Sequence, residues 1–244
     1  MSTKLPAAFD LGSVITELKG RPGTRKAAQA LSDLLDVASA HGDLLFAREL
    51  LHTLIIDARG ELKHPSPYGM AVRGALLAQA IVLYTRASIV KSVRKTFDIR
   101  SRLSPEQQAL HLRIDGWRNE AVAHFDRSAR HGEALWADET LVFTPDGGFP
   151  IRPALKRLAV RDELVGELLG QVEAVADIYM ELMRGKFPVA QEALADVLER
   201  FPDVRKLVQE HPFDALSFFS TPEVASDFLG EGKLSGTLHG IHGD

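Results

Sequence analysis

SPEQQALHLRIDGWRNEAVAHFDRSAR, residues 104–130, decides how the rest of the chain is read. Ser104 suits a helix N-cap, Pro105 the first helical position, and Gln107 is spaced to complete a capping box. The pattern predicts a helix from Pro105 to about Arg130, stopping before Gly132. At about 100° per residue, Leu110, Ala121, Ile114 and Phe125 fall roughly 20°, 40°, 60° and 80° from Trp117 and form one apolar stripe. His124 falls near about −20° and Arg118 near about 100°, so the two flank the stripe roughly 120° apart. Packing that stripe against the same stripe of a second copy would bring His124 of one chain near Arg118 of the other.

Working outward, Thr24 to Ala40 carries apolar residues at helical spacing, and His41-Gly42 predicts a stop. Leu44 to Ala58 repeats the pattern up to Gly60. The segment GELKHPSPYG, with two prolines and two glycines, predicts a break. Met70 to Phe97 predicts a long helix whose second half is basic. Beyond the quoted stretch, Leu141-Val142-Phe143 and Phe149-Pro150-Ile151 flank Pro145-Asp146-Gly147-Gly148, which predicts a short β-hairpin. Helical spacing returns from Arg161 to Arg184, with shorter helices expected over 188–200 and 202–210. The glycine-rich end is expected to be disordered. The fold class expected is all-α: an antiparallel helical bundle with a small β-hairpin insertion and a C-terminal helical extension. Its expected parts are a lead segment (1–23), a helical domain (24–185), an extension (186–230) and a tail (231–244).

The 244 residues are 45% hydrophobic and 25% charged, ordinary for a globular chain with a core. The absence of cysteine excludes disulfides, thiolate metal sites and a cysteine nucleophile. No run of about 18 apolar residues exists, so no membrane partner is expected. The opening MSTKLPAAFDLGS lacks the apolar core of a secretory signal, and a cytoplasmic location is expected. Net charge is −4, but unevenly spread. Residues 85–130 hold ten Lys/Arg against five acids, whereas residues 131–244 hold ten against twenty. A basic segment of this kind attracts polyanions, although it also fits a solvated helix face. Lys91, Arg94, Lys95 and Arg127 are the candidates for guiding RNA.

An arginine holds phosphate through a planar fork, and a histidine moves protons near neutral pH. Those are the groups needed to cut RNA without a metal. Each residue also has a plain structural reading. Arg118 can pair with Asp115 one turn earlier, and His124 suits a helix C-terminus. Trp117 and Phe125 read as core or interface aromatics. His239 and His242 have a metal-compatible spacing but sit among glycines, so no metal site and no cofactor are expected. No His-Glu-x-x-His, phosphate-cradling glycine loop or Gly-x-Ser-x-Gly occurs.

Arg118-Asn119, four further residues and His124, followed by Phe125-Asp126, resembles the signature of the HEPN superfamily, and within it the abortive-infection HEPN-like proteins. The resemblance covers about residues 30–185. It implies a metal-independent endoribonuclease that works as a homodimer. His124 would then be the general acid/base for attack of a ribose 2′-hydroxyl on the adjacent phosphodiester. Arg118 would bind the scissile phosphate, and Asn119 would orient the arginine, the histidine or the RNA. It implies a toxin or phage-defence component, with any antitoxin a separate protein of nucleotidyltransferase type. The alternatives are a catalytically inactive protein of the same fold that binds RNA or protein, and an assembly module working through its acidic C-terminal helices.

Overall fold

In a computed structural model of the chain, the described residues are 8–60, 67–89, 94–95, 97–119, 130–131, 134–135, 138–143, 151–156, 160 and 162–230. They are mostly helical. In chain order the elements are α1 (Leu11–Gly20), α2 (Arg25–Gly60), α3 (Pro67–Ser88), a 3₁₀ turn (Arg100–Arg102) and α4 (Pro105–Trp117). Short strands β1 (Arg130–His131), β2 (Ala134–Leu135), β3 (Asp138–Phe143) and β4 (Ile151–Lys156) follow. The chain then forms α5 (Asp162–Arg200), α6 (Pro202–Gln209), α7 (Ala215–Phe219) and α8 (Pro222–Gly230). β3 and β4 pair antiparallel, with Asp138 opposite Lys156 and Phe143 opposite Ile151. Among the described residues no helix is long and apolar enough to cross a membrane.

Two helices run where the sequence predicts breaks. α2 continues through His41 and Gly42 because Gly42 keeps a right-handed backbone, whereas a terminating glycine adopts the left-handed one. Ala40, Leu44 and Leu45 are buried on either side, and their burial offsets the roughly 1 kcal/mol that an interior glycine costs. α5 continues through the predicted gap before residue 188, with Pro188 inside it. Proline removes one helical hydrogen bond at a cost of about 3 kcal/mol. Ala190, Ala193 and Val197, all buried on the next turns, hold the helix in place regardless. α3 ends earlier than predicted, at Ser88.

The chain divides into two compact units, residues 1–38 with 181–244, and residues 39–180. Helices α2 and α5 each contribute residues to both. In the first unit, Val14, Ile15 and Leu18 of α1 pack with Ala27, Ala28 and Leu31 of α2, and with Ala190, Ala193 and Val197 of α5. Val204, Leu207 and Val208 of α6 complete that core. The α1 helix lies in the segment read as a lead, and its start is set by Asp10, whose carboxylate accepts from the backbone of Gly12 and Ser13. At its far end the Thr24 hydroxyl donates to the carbonyls of Leu18 and Arg21. Gly23 adopts a left-handed backbone (φ 81°), and the Phe201 ring lies where a Cβ would stand.

The second unit packs α2, α3, α4 and α5 around Leu44, Leu51, Leu54, Leu77, Ile81, Ile114, Trp117, Leu168 and Val172, each no more than 1% exposed. Several of its contacts are polar. Tyr179 on α5 donates to the Ala87 carbonyl on α3 at 2.6 Å. Asp43 on α2 binds Arg86 on α3 and also Arg94, the latter at 2.7 Å. The start of α4 is the capping box expected from Ser104 and Gln107: each side chain bonds the other's backbone N–H.

Candidate functional site

The regular part of α4 ends at Trp117, and the backbone opens into a wider, π-type turn at Arg118 and Asn119. Widened turns of this kind recur at functional positions. Trp117 anchors the end of the helix, being 1% exposed, with the Arg113 guanidinium over its ring at 5.4 Å. Arg113 also meets Glu167 of α5 at 3.4 Å. The side chain that precedes the widening is therefore fixed, and the two that follow are set relative to it.

Arg118 and Asn119 are both partly buried. Arg118 Nη1 donates to Asn119 Oδ1 at 2.8 Å, and Asn119 Nδ2 donates to Asp115 Oδ1 at 3.4 Å. The intrahelical pair of Arg118 with Asp115, the plain reading of that spacing, is not formed. Asn119 stands between them, because its amide can accept from the cation and donate to the anion at once. Among the described residues no carboxylate lies within ion-pair distance of Arg118. The guanidinium has five N–H donors and spends one on Asn119 in this arrangement. Its place at the carboxyl end of α4 also suits a cation, by about 0.3–1 kcal/mol. Chemically, this is a fixed, amide-steadied guanidinium.

His124 lies outside the described residues, as do Lys91 and Arg127. The roughly 120° separation of Arg118 from His124 assumes a regular helix at about 100° per residue, and the backbone departs from that geometry at Arg118. The placement of His124 on the wheel therefore lies outside the described residues. Of the other RNA-guiding candidates, Arg94 is engaged: Nη1 donates to Ser39 Oγ at 3.0 Å and Nη2 to Asp43 Oδ2 at 2.7 Å. Lys95 is exposed, its Nζ 5.7 Å from the centre of the Phe97 ring.

A second polar group on α4 carries no sequence signature. Tyr84 Oη lies 2.6 Å from His111 Nδ1 and accepts from Gln171 Nε2 at 2.9 Å. Gln171 Nε2 also donates to the Gln107 carbonyl at 3.2 Å. Burial pushes the Tyr84 phenol well above its ordinary range, so it stays protonated and donates to a neutral His111. Burial, with the nearby Arg100 charge, holds His111 below its ordinary value, and Asp115 opposes the shift. His111 is 6% exposed and lies about 12 Å along the helix from Asn119, so it joins helices and does not reach a phosphate at Arg118. On the helical wheel His111 falls about 120° from Trp117, off the apolar stripe, so the spacing gave no sign of it. The chain matches no family model, no curated protein and no solved structure.

Proposed function

We propose that the chain is a metal-independent endoribonuclease of HEPN type, acting as a homodimer whose central cleft takes Arg118 from one copy and His124 from the other. The observation that supports the reading most is the Arg118–Asn119–Asp115 chain at the widened end of α4. A guanidinium steadied by a neutral amide keeps its charge and most of its donors for a phosphate, whereas direct pairing with Asp115 would spend them.

In this reading His124 takes the proton of a ribose 2′-hydroxyl as that oxygen attacks the neighbouring phosphorus. Arg118 offsets the charge that builds on the phosphoryl oxygens. The 5′ oxygen leaves with a proton returned by the imidazole. DNA lacks the attacking hydroxyl and is not cut. A toxin or defence role, restrained by a separate nucleotidyltransferase-type antitoxin, belongs to the same proposal.

The test is direct. Purified protein is incubated with total RNA in excess chelator, beside Arg118→Ala, His124→Ala and Asn119→Ala. Wild type is expected to cut. The first two variants should lose about a hundredfold or more, and Asn119→Ala less, since it only steadies the guanidinium. Cleavage that persists in Arg118→Ala and His124→Ala, or a wild type that never cuts, sinks the proposal. A monomer in sedimentation at micromolar concentration removes the composite cleft.

A further inference from the structure

The first unit has an aliphatic core and carries a cluster of phenylalanines apart from it. Helices α7 and α8 carry Phe218, Phe219 and Phe228, which gather with Phe213 into one cluster. Ring centres are 5.3 Å apart for Phe213–Phe218, 5.0 Å for Phe218–Phe219 and 5.0 Å for Phe219–Phe228. None of these rings belongs to the aliphatic core of the unit. Phe218 is 70% exposed, Phe228 55% and the neighbouring Leu216 48%. Contiguous apolar surface of this kind is uncommon on a protein that functions alone. Beside it runs a groove of 340 Å³, lined by Asp10, Pro212, Phe213, Asp214, Ser217 and Phe218. Backbone pairing ties the chain together at this groove: Asp10 N–H donates to the His211 carbonyl at 2.8 Å, and Phe213 N–H to the Ala8 carbonyl at 2.9 Å.

Charge says what fits. From Leu207 to Gly230 the chain has no lysine or arginine, and it carries Glu210, Asp214, Glu223 and Asp227. Asp10 adds a further carboxylate to the groove, held below its ordinary range mainly by the Ser13 hydroxyl. An acidic rim around exposed aromatic rings disfavours nucleic acid and anionic lipid. It also disfavours the same face of a second copy, which would set carboxylates against carboxylates.

We propose that this surface docks an amphipathic, lysine- or arginine-rich segment of a partner protein. Its apolar side chains cover the Phe213–Phe218–Phe219–Phe228 cluster, and its cations meet Asp10, Asp214, Glu223 and Asp227. Long basic side chains suit such a site, because their stems lie on aromatic faces while their charges reach the rim. The surface is independent of Arg118 and His124, so it stands or falls apart from the proposed nuclease.

The test uses the full chain and a fluorescein-labelled amphipathic leucine–lysine peptide of about 18 residues, five helical turns. Leucine–glutamate and serine–lysine peptides of equal length are the controls, all at physiological salt. The leucine–lysine peptide is expected to bind in the micromolar range, and neither control to approach it. Phe218→Ser with Phe228→Ser should weaken binding about tenfold or more, as loss of aromatic anchors does. Asp10→Asn with Asp214→Asn should weaken it severalfold while leaving both helix starts capped, since asparagine caps as well as aspartate. Arg118→Ala should change nothing. Circular dichroism checks the fold; if the serine variant unfolds, the asparagine variant decides.

The proposal is overturned if either control peptide binds as tightly, or if both double variants bind like wild type. Self-association of the wild type that disappears in the serine variant would overturn it in favour of a second copy. Adsorption to zwitterionic vesicles through the same phenylalanines, without peptide binding, would overturn it in favour of a lipid surface.

Discussion

Between residues 39 and 180 the buried set includes His41, Thr85, Ser88, His111 and Gln171, whereas Thr24 is the one buried polar residue described in the other unit. The difference is in what each interior demands. An aliphatic core asks for volume, and nearly any side chain of the right size meets the demand. A core threaded by Tyr84, His111 and Gln171 asks for donors and acceptors at fixed positions, so it sets the register of three helices as well as their spacing. The unit with the apolar interior is also the one that gathers Phe213, Phe218, Phe219 and Phe228 into one cluster, two of them exposed. The two units therefore differ most in their interiors, one aliphatic and the other threaded by hydrogen bonds.

The comparison can be broken at its aliphatic end first. Leu18 is fully buried in the first unit, and Leu18→Ala should cost about 2–5 kcal/mol in urea denaturation. A loss below about 1 kcal/mol would mean that this core is not close-packed. Pro188→Ala should act oppositely, adding a helical hydrogen bond at an exposed position and stabilising by about 1–3 kcal/mol. A destabilised Pro188→Ala would show that the proline sets a bend the unit needs. In the second unit, Tyr84→Phe keeps the ring and removes the hydroxyl. It leaves His111 and Gln171 with unmet groups and should cost about 1–3 kcal/mol. If that variant is neutral, the polar interior contributes nothing and the contrast between the units fails.

The smallest effect concerns pH. His111 is held below its ordinary value of 6.5 by burial and Arg100, and His41 likewise by burial and Arg48, with Asp115 and Asp177 opposing. The folded state therefore binds fewer protons than the unfolded state as pH falls through about 6.5. Stability is full above that value, declines below it, and levels off once the folded-state values are passed. Hydrogen exchange recorded from pH 7 to pH 5 should show α3 and α4 losing protection before α1 and α6, whose buried partners do not titrate. Equal loss in both units would contradict this.

Much of this was legible from the residues because the signals were local. The Ser104–Gln107 capping box needs only four residues in sequence, and the structure has it as read. The breaks expected at Gly42 and before Pro188 did not form because buried neighbours, on both sides of Gly42 and on the turns after Pro188, outweighed a local penalty, and burial cannot be read from one residue. The α1 helix was missed because it is short and has glycines near both ends, though Asp10 and the spacing of Val14 and Leu18 were its signal. At the candidate site, the sequence singled out Arg118 and Asn119 and offered a pair of the arginine with Asp115 as the plain structural alternative; that pair is not formed. The Asn119–Asp115 bond is an i,i+4 contact that helical spacing allows, but spacing alone does not say which of the two neighbours, Arg118 or Asn119, takes the carboxylate. The Tyr84–His111–Gln171 group joins residues up to 87 positions apart and left no pattern to find.

Gln171 shows how finely that interior discriminates. Its Nε2 bonds Tyr84 and the Gln107 carbonyl, while its buried Oε1 has no partner among the described residues. The position is thus defined by what it donates. Glutamate has nearly the same shape, but it would turn two donors into acceptors and carry a charge into the interior. A change of a single amide nitrogen to oxygen, as slow hydrolysis of the side chain makes in ageing protein, would be felt by α3, α4 and α5 together. The helix junction is in that sense a chemical proofreader, tolerant of much around it and intolerant of one atom.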